Sequence, residues 1–213
     1  MLKYGIELEF FVYKGKDLVP AYKFTNNLDG NPVVGEIRTG IFSSVVDLVF
    51  DLKKRIYLEQ ERLAANGCKM VFQSEAKGSP DFRKSLRKDR SFVDAKNLEL
   101  LEEFSIYPNG ELSKENEELG RYTASLQINV SDNSEVNLSY VNKENKDIKF
   151  SKSVSNVFNY YALITKWDKM FKHELEAAGR VPGVYAIKTG ELGSRIEYRS
   201  LPNDVNLDML FNL

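Results

Sequence analysis

The chain of 213 residues carries 30 Lys and Arg against 31 Asp and Glu, so its formal net charge is −1. Its 42% hydrophobic and 29% charged residues are typical of a globular protein and exclude disordered and fibrous classes. The near-neutral balance provides no bulk attraction to nucleic acid or to an anionic membrane, and we expect neither as a partner.

Cysteine and histidine usage narrows the class further. The single cysteine, Cys68, cannot form an intramolecular disulfide, which indicates a reducing compartment, so we expect a soluble cytoplasmic protein. The apolar N-terminal stretch is interrupted by Glu7 and Glu9, which fits neither a signal peptide nor a membrane span. The single histidine, His173, excludes His-rich metal sites and argues against Ser-His-Asp chemistry.

Hydrophobic periodicity predicts the elements in chain order. Alternation predicts strands at 3–13 and 33–39, and helical spacing then predicts a long helix capped by Ser43 or Ser44 and ended by Gly67. The remaining elements are expected as a strand at 69–73, a helix near 95–104, a strand at 122–130, an aromatic-rich helix from Ser153 to Gly179, and strands at 183–188 and 195–201.

The order of these elements predicts one α+β domain over residues 1–213, in which an antiparallel sheet carries helices on one face. No internal repeat and no low-complexity linker divides the chain. A locally basic segment at 77–90 is interpreted as a solvated loop or, alternatively, as a lid that clamps phosphates.

Four of the predicted strands share a pattern in which two polar residues are separated by one residue that is not charged. Side chains at positions i and i+2 of a strand point to the same face, so each strand presents its polar pair on one face and its apolar residues on the other. If the four strands belong to one sheet, a single face collects Glu7, Glu9, Glu36, Glu197, Arg38, Arg199, Gln127 and Asn129.

Two interpretations of this face compete. An antiparallel sheet commonly exposes one face to water, and acids and arginines then form ordinary cross-strand ion pairs. The composition of the face favours a functional site instead, because clustered carboxylates repel one another unless a cation or an arginine compensates them. Hard divalent cations such as Mg²⁺ take oxygen ligands of this kind.

Three segments of the chain carry distinctive motifs. The first is Gly5-Ile6-Glu7-Leu8-Glu9-Phe10, and the second is an acidic turn, Asp29-Gly30, followed by Gly35-Glu36-Ile37-Arg38-Thr39. The third covers residues 180–202 and leads into Glu197-Tyr198-Arg199. In this order the segments resemble those of the carboxylate–amine ligases, or amidoligases, and most closely the short form that bacteriophages encode, which implies the cytoplasm of a host cell.

The resemblance implies a curved antiparallel sheet of the glutamine synthetase-like catalytic fold. It also implies an enzyme that uses ATP and Mg²⁺ to join a small-molecule or peptide carboxylate to an amine through an acyl phosphate. By the same resemblance, the metal ligands are Glu7, Glu9 and Glu197; the catalytic residues are Glu36, Arg38 and Arg199; and the nucleotide-binding residues are Gln127, Asn129, Arg180 and Lys188.

The chain departs from the family at one strand, where Gln127-Ile128-Asn129 stands in place of a His-x-His pair. An amide donates to phosphate or accepts at a metal, but it does not titrate near neutral pH. This departure favours one alternative, a non-catalytic relative that acts as a binding or phage structural protein. A second alternative, which does not depend on the departure, is a kinase or phosphatase that consumes ATP at the same site without forming an amide.

Overall fold

A computed structural model describes residues 2–28, 32–79, 82, 103–105, 121–131, 137–139, 149–151, 154–190 and 193–213. Its main element is a sheet of eight strands in which every pairing is antiparallel. The strands are β1 (Lys3–Lys14), β2 (Asp17–Val19), β3 (Val34–Arg38), β4 (Lys69–Val71), β6 (Glu103–Ser105), β8 (Ser125–Ser131), β11 (Val184–Gly190) and β12 (Gly193–Pro202).

Helices and two smaller sheets complete the described elements. One small sheet pairs β5 (Glu75–Lys77) with β7 (Arg121–Thr123), and the other pairs β9 (Asn137–Ser139) with β10 (Lys149–Ser151). The α-helices are α1 (Val45–Ala65), α2 (Val154–Met170) and α3 (Lys172–Ala177), and 3-10 turns cover Ala21–Lys23 and Leu207–Asn212. The predicted α+β class with a largely antiparallel sheet is therefore confirmed.

Strand β1 is the centre of the main sheet. It pairs with β3 along one edge and with β8 along the other, so that Glu7 lies opposite both Arg38 and Gln127. Beyond β8 the sheet continues through β12 and β11 to β6, while β2 and β4 pair with the far end of β1.

The even-numbered residues of β1 face the principal hydrophobic core. Ile6, Leu8 and Phe10 are buried there, and the helices pack against the same face of the sheet. The helices contribute buried residues at helical spacing: Leu48, Leu52, Ile56 and Leu63 from α1, with Ile164, Trp167, Phe171 and Leu175 from α2, α3 and the residue between them. The alternation that predicted β1 thus separates an apolar face, covered by helices, from a second face.

Capping residues define α1 as the sequence predicts. The hydroxyl oxygen of Ser44 accepts a hydrogen bond from the backbone N–H of Asp47 at 3.3 Å. At the other end Gly67 has a φ of +68°, a conformation that glycine adopts without the steric cost of a Cβ atom.

The structure corrects three predicted elements. The helix expected from Ser153 to Gly179 is divided into α2 and α3 at Phe171, whose ring is fully buried in the core and whose backbone (φ −101°, ψ 19°) leaves the helical region. The strand expected at 122–130 is divided at Ala124, because its N–H donates to Ser74 O and the chain passes from one sheet to another. Residues 103–104, expected to end a helix, belong to β6, whose pairing with β11 overrides the local pattern. Most of the helix near 95–104 and of the basic segment lies outside the described residues.

A second, smaller core covers part of the opposite face of the main sheet. It forms around Phe11 of β1 and includes residues of β3, of the β5–β7 sheet and the buried Phe82. Its buried members are Phe11, Val33, Val34, Ala76, Phe82 and Ala124. The face opposite the helices is therefore packed at this end rather than open to water. Among the described helices, none combines the length and the apolar character needed to cross a membrane.

Substituting Gly35 by alanine is expected to destabilise the protein by about 1–3 kcal/mol, because the site is already filled. Gly35 lies opposite Phe10, and a Cβ atom at Gly35 would lie 2.3 Å from the Phe10 ring, which is fully buried and held by the core. Urea unfolding of Gly35→Ala measures the loss. Gly5→Ala is the control, since the nearest atom to its Cβ would be 3.7 Å away. Equal stability of the two variants would contradict the prediction.

Candidate functional site

Strand register brings the predicted polar residues onto one face of the main sheet. Glu9 lies opposite Glu36, Asn129 lies opposite Glu197, and Glu7 lies between Arg38 and Gln127, so directly paired side chains share a face. We call this surface the polar face and define it by Glu7, Glu9, Glu36, Arg38, Gln127, Asn129, Arg195, Glu197 and Arg199. It lies opposite the face that packs against the helices.

The polar face is largely buried. Five of its members have small exposed fractions: Glu9 7%, Glu36 2%, Gln127 2%, Asn129 8% and Glu197 0%. An ordinary solvated sheet face would leave such side chains in water. The interpretation of this surface as a solvated face is therefore wrong for these five residues. Burying charged groups is costly unless they are paired or hydrogen-bonded, and their partners therefore define the site.

Glu9 is held by donors from β8. One of its carboxylate oxygens, Oε2, accepts from the backbone N–H of Ser125 at 2.6 Å and from the Ser125 hydroxyl at 3.0 Å, while Oε1 accepts from Gln127 Nε2 at 2.9 Å. Burial nevertheless raises the pKa of Glu9 to about 7, since loss of solvation outweighs the hydrogen bonds from Ser125. The neighbouring charge of Glu36 raises this pKa further and that of Arg199 lowers it.

Glu36 and Arg38 form a bidentate pair on β3. The guanidinium Nε lies 2.6 Å from Glu36 Oε1, and Nη2 lies 2.9 Å from Oε2. The carboxylate is fully buried, whereas the Arg38 side chain is 61% exposed. Arg38 thus neutralises a buried charge although its own side chain is largely exposed.

Glu197 and Arg199 form a second pair, on β12, in which Arg199 Nε lies 3.0 Å from Glu197 Oε1. The pairing of β12 with β8 shifts between Tyr198 and Leu201, so that Arg199 and Ser200 together oppose Gln127. This irregularity is a β-bulge, and bulges re-aim side chains next to functional sites.

Arg195 joins the polar face although the sequence analysis did not select it. Its Nε donates to Asn129 Oδ1 at 2.7 Å, and its Nη2 lies 3.9 Å from Glu7 Oε1. The sequence does carry a pattern that could have identified it, because Arg195 lies two residues before Glu197 on the same predicted strand and so shares its face. The described part of the polar face therefore combines four carboxylates and two amides with three guanidinium groups.

Of the two other predicted nucleotide-binding residues, Arg180 lies away from the polar-face strands, whereas Lys188 occupies a register position beside them. The guanidinium of Arg180 donates to the backbone carbonyls of β12 rather than extending from a polar-face strand. Lys188 lies opposite Arg195 in the register, and its side chain is outside the described part of the chain. Asp29 of the predicted acidic turn is also outside it.

The donor chemistry of the polar face suits a hard cation, but its carboxylates already have partners. Within the described ranges, no group of three or more His, Cys, Asp or Glu side chains is placed to hold a metal ion. Among the described residues, none donates a hydrogen bond to the buried Oε1 of Gln127. This amide oxygen, which lies beside Glu9, can therefore accept one. A Mg²⁺ ion would thus suit the chemistry of Glu7, Glu9 and Gln127 and would require some of the existing partners to move.

Chemically, the polar face can bind an anionic group at its arginines and can hold a proton or a cation at its carboxylates. Its charges come from segments far apart in sequence and are brought together by pairing alone. Comparison of the chain with protein-family models and with curated proteins finds no match.

Proposed function

We propose that this protein is an ATP-dependent carboxylate–amine ligase with a curved, glutamine synthetase-like sheet, and that the polar face is its substrate site. One observation supports the proposal above the others. The strands that carry the Glu-x-Glu, Glu-Ile-Arg and Glu-Tyr-Arg motifs lie in one sheet and place Glu7, Glu36 and Glu197 on a single face, with Glu36 and Glu197 buried and Glu7 partly buried.

In the proposed reaction, an oxygen of the substrate carboxylate attacks the γ-phosphorus of ATP, and ADP leaves. The amine nitrogen then attacks the acyl carbon, the bond from that carbon to the phosphate oxygen breaks, and the nitrogen gives up a proton to water as the amide forms. Arg38 and Arg199 carry positive charge next to buried carboxylates, and Arg195, near Glu7, adds a third guanidinium. Guanidinium groups suit both the phosphates and the substrate carboxylate, so these residues bind and orient the anionic reactants.

Bound Mg²⁺, held by Glu7, Glu9 and Glu197 or by the Gln127 oxygen, would neutralise phosphate charge. Glu9 contributes in a second way. Without a bound metal ion, burial raises the pKa of Glu9 to about 7, so the face gains one negative charge as the pH rises through that value. Gln127 and Asn129 donate or accept hydrogen bonds in place of a histidine pair, and both are buried.

ATP binding measured by calorimetry, with and without Mg²⁺, tests the site. We expect Mg²⁺-dependent binding at a pH above 7, where Glu9 is ionised. The double variant Glu7→Gln/Glu9→Gln is expected to weaken it by more than the roughly 10- to 100-fold that loss of an outer-sphere metal partner costs.

The matched control is Glu61→Gln/Glu176→Gln, which makes the same change in charge at exposed positions away from the polar face. This control is expected to bind ATP as the wild type does. Absence of ATP binding by the folded wild-type protein would overturn the ligase proposal. Binding that both double variants retain would place the nucleotide elsewhere.

A second candidate is a non-catalytic relative that binds a phage or host protein. The observation that favours it is the internal pairing of the polar face, since Glu36 pairs with Arg38, Glu197 with Arg199, and Asn129 bonds to Arg195. Product formation separates the candidates. Amide formed only when an amine is supplied indicates the ligase, ATP hydrolysis without amine dependence indicates a kinase or phosphatase, and neither indicates the binding protein.

A further inference from the structure

The bulge in β12 creates an unusual need for hydrogen-bond donors. Successive carbonyls of a regular strand point toward opposite edges and are satisfied by the neighbouring strands. Pairing with β11 extends to Tyr198, and pairing with β8 resumes only at Leu201. The backbone carbonyls around Arg199 and Ser200 therefore require partners that the ladder does not supply.

Arg180 supplies those partners. Its Nη2 donates to Arg199 O at 3.0 Å and to Leu201 O at 3.4 Å, and its Nε donates to Ser200 O at 3.1 Å. One guanidinium thus binds three successive carbonyls, which is possible only because the bulge makes them converge. Ser200 adds a further tie, since its hydroxyl oxygen accepts from the N–H of Val184 at 2.9 Å.

The end of α3 places Arg180 at this position. Gly179 has a φ of +61°, its N–H donates to Glu176 O, and the N–H of Arg180 donates to Leu175 O. These two hydrogen bonds around a glycine in the left-handed conformation form the Schellman motif, which ends a helix at a fixed angle. Arg180 therefore leaves the helix in a defined direction and reaches the edge of β12.

Arg199, at the first position of the bulge, carries the guanidinium that pairs with the fully buried Glu197. Its direction depends on the backbone conformation that the bulge imposes. We propose that Arg180 is a positioning residue: by binding the three carbonyls of the bulge, it holds the Arg199 guanidinium against Glu197 on the polar face. The role of Arg199 toward an anionic substrate rests on the proposed function, whereas its positioning by Arg180 does not.

Arginine-labelled ¹⁵N NMR tests the positioning without any ligand. In the wild type, the Arg199 side chain is only 16% exposed and its Nε lies 3.0 Å from Glu197 Oε1, so its Nε–H is expected to be protected from solvent exchange. Arg199→Lys assigns the signal. In Arg180→Met, which keeps an unbranched side chain but removes the donors, this protection is expected to fall about tenfold or more. The Nε–H of Arg38, bonded to Glu36, is the internal control and is expected to keep its protection.

Two results would overturn the proposal. One is unchanged protection of Arg199 in folded Arg180→Met, and the other is an equal loss at Arg38, which would mean general loosening of the sheet. If Arg180→Met does not fold, Arg180→Lys, which restores one cationic donor, takes its place. In Arg180→Lys, the Arg199 Nε–H is then expected to be less protected than in the wild type but more protected than an arginine without an ion pair. Full protection would count against the proposal.

ATP calorimetry on the same variants separates this inference from the proposed function. If the wild type binds ATP, Arg180→Met and Arg199→Met are expected to weaken binding by similar factors, and the double variant by no more than either alone. Additive losses would mean that Arg180 contacts the nucleotide itself and would overturn the positioning role. If the wild type binds no ATP, the proposed function fails, while the NMR result still decides the position of Arg199.

Discussion

When the pH is raised from below 4.5 to above 7, the free energy of unfolding of the wild-type protein is expected to fall by about 3 kcal/mol more than that of the variant Glu9→Gln. Burial raises the pKa of Glu9 from 4.5 to about 7 in the folded state. The folded protein therefore holds the proton more tightly than the unfolded chain does. The resulting stabilisation is fully present below pH 4.5 and is lost as the pH rises through 7, and glutamine at position 9 does not titrate.

Urea unfolding of both proteins across this pH range measures the effect. Glutamine has nearly the shape of protonated glutamate, and rotation of the Gln127 amide would let its oxygen accept from the new amide group. Glu61→Gln, at an exposed position on α1, is the control and is expected to follow the wild-type curve. Parallel curves for the wild type and Glu9→Gln would refute the assignment of this pH dependence to Glu9.

Replacing Arg38 by alanine is expected to cost about 2–3 kcal/mol of stability, because it leaves the buried Glu36 carboxylate without its bidentate partner. This loss is smaller than the roughly 3–5 kcal/mol typical of a fully buried pair, since the Arg38 side chain is 61% exposed and water can partly replace it. Unfolding in urea at neutral pH provides the measurement.

Two further variants identify the cause of that loss. Arg55→Ala removes a surface pair with Asp51 at 2.7 Å and is expected to cost less than about 1 kcal/mol. Adding Glu36→Gln to Arg38→Ala is expected to recover much of the stability, because it removes the buried charge that has lost its bidentate partner. If Arg38→Ala costs no more than Arg55→Ala, the carboxylate of Glu36 is stabilised mainly by other groups.

Much of the main sheet could be predicted from the sequence because alternation is a strong local signal. The alternation around Ile6, Leu8 and Phe10 identified the core face of β1, and the polar residues between them identified the opposite face. Ser44 and Gly67 marked the ends of α1, since their capping roles depend only on local backbone geometry.

The remaining features depend on contacts between distant segments. The burial of Glu197 cannot be inferred from its own strand, because a solvated and a covered sheet face share the same alternation. The bulge at Arg199 and the three bonds from Arg180 require knowledge of the β8–β12 register. The break at Phe171 arises within an unbroken helical pattern and places its ring in the core.

The central position of β1 also limits how this protein can change in length. Side chains alternate with a period of two, so inserting or deleting one residue within β1 would turn its carboxylates into the helix-covered core and its core residues onto the polar face. The turn after it is different, because Gly15 has a φ of +63° and a Cβ atom added there would meet nothing within 4 Å beyond the adjacent residues. Length variation among natural relatives should therefore occur at this turn, while β1 keeps a constant number of residues between Gly5 and Phe11.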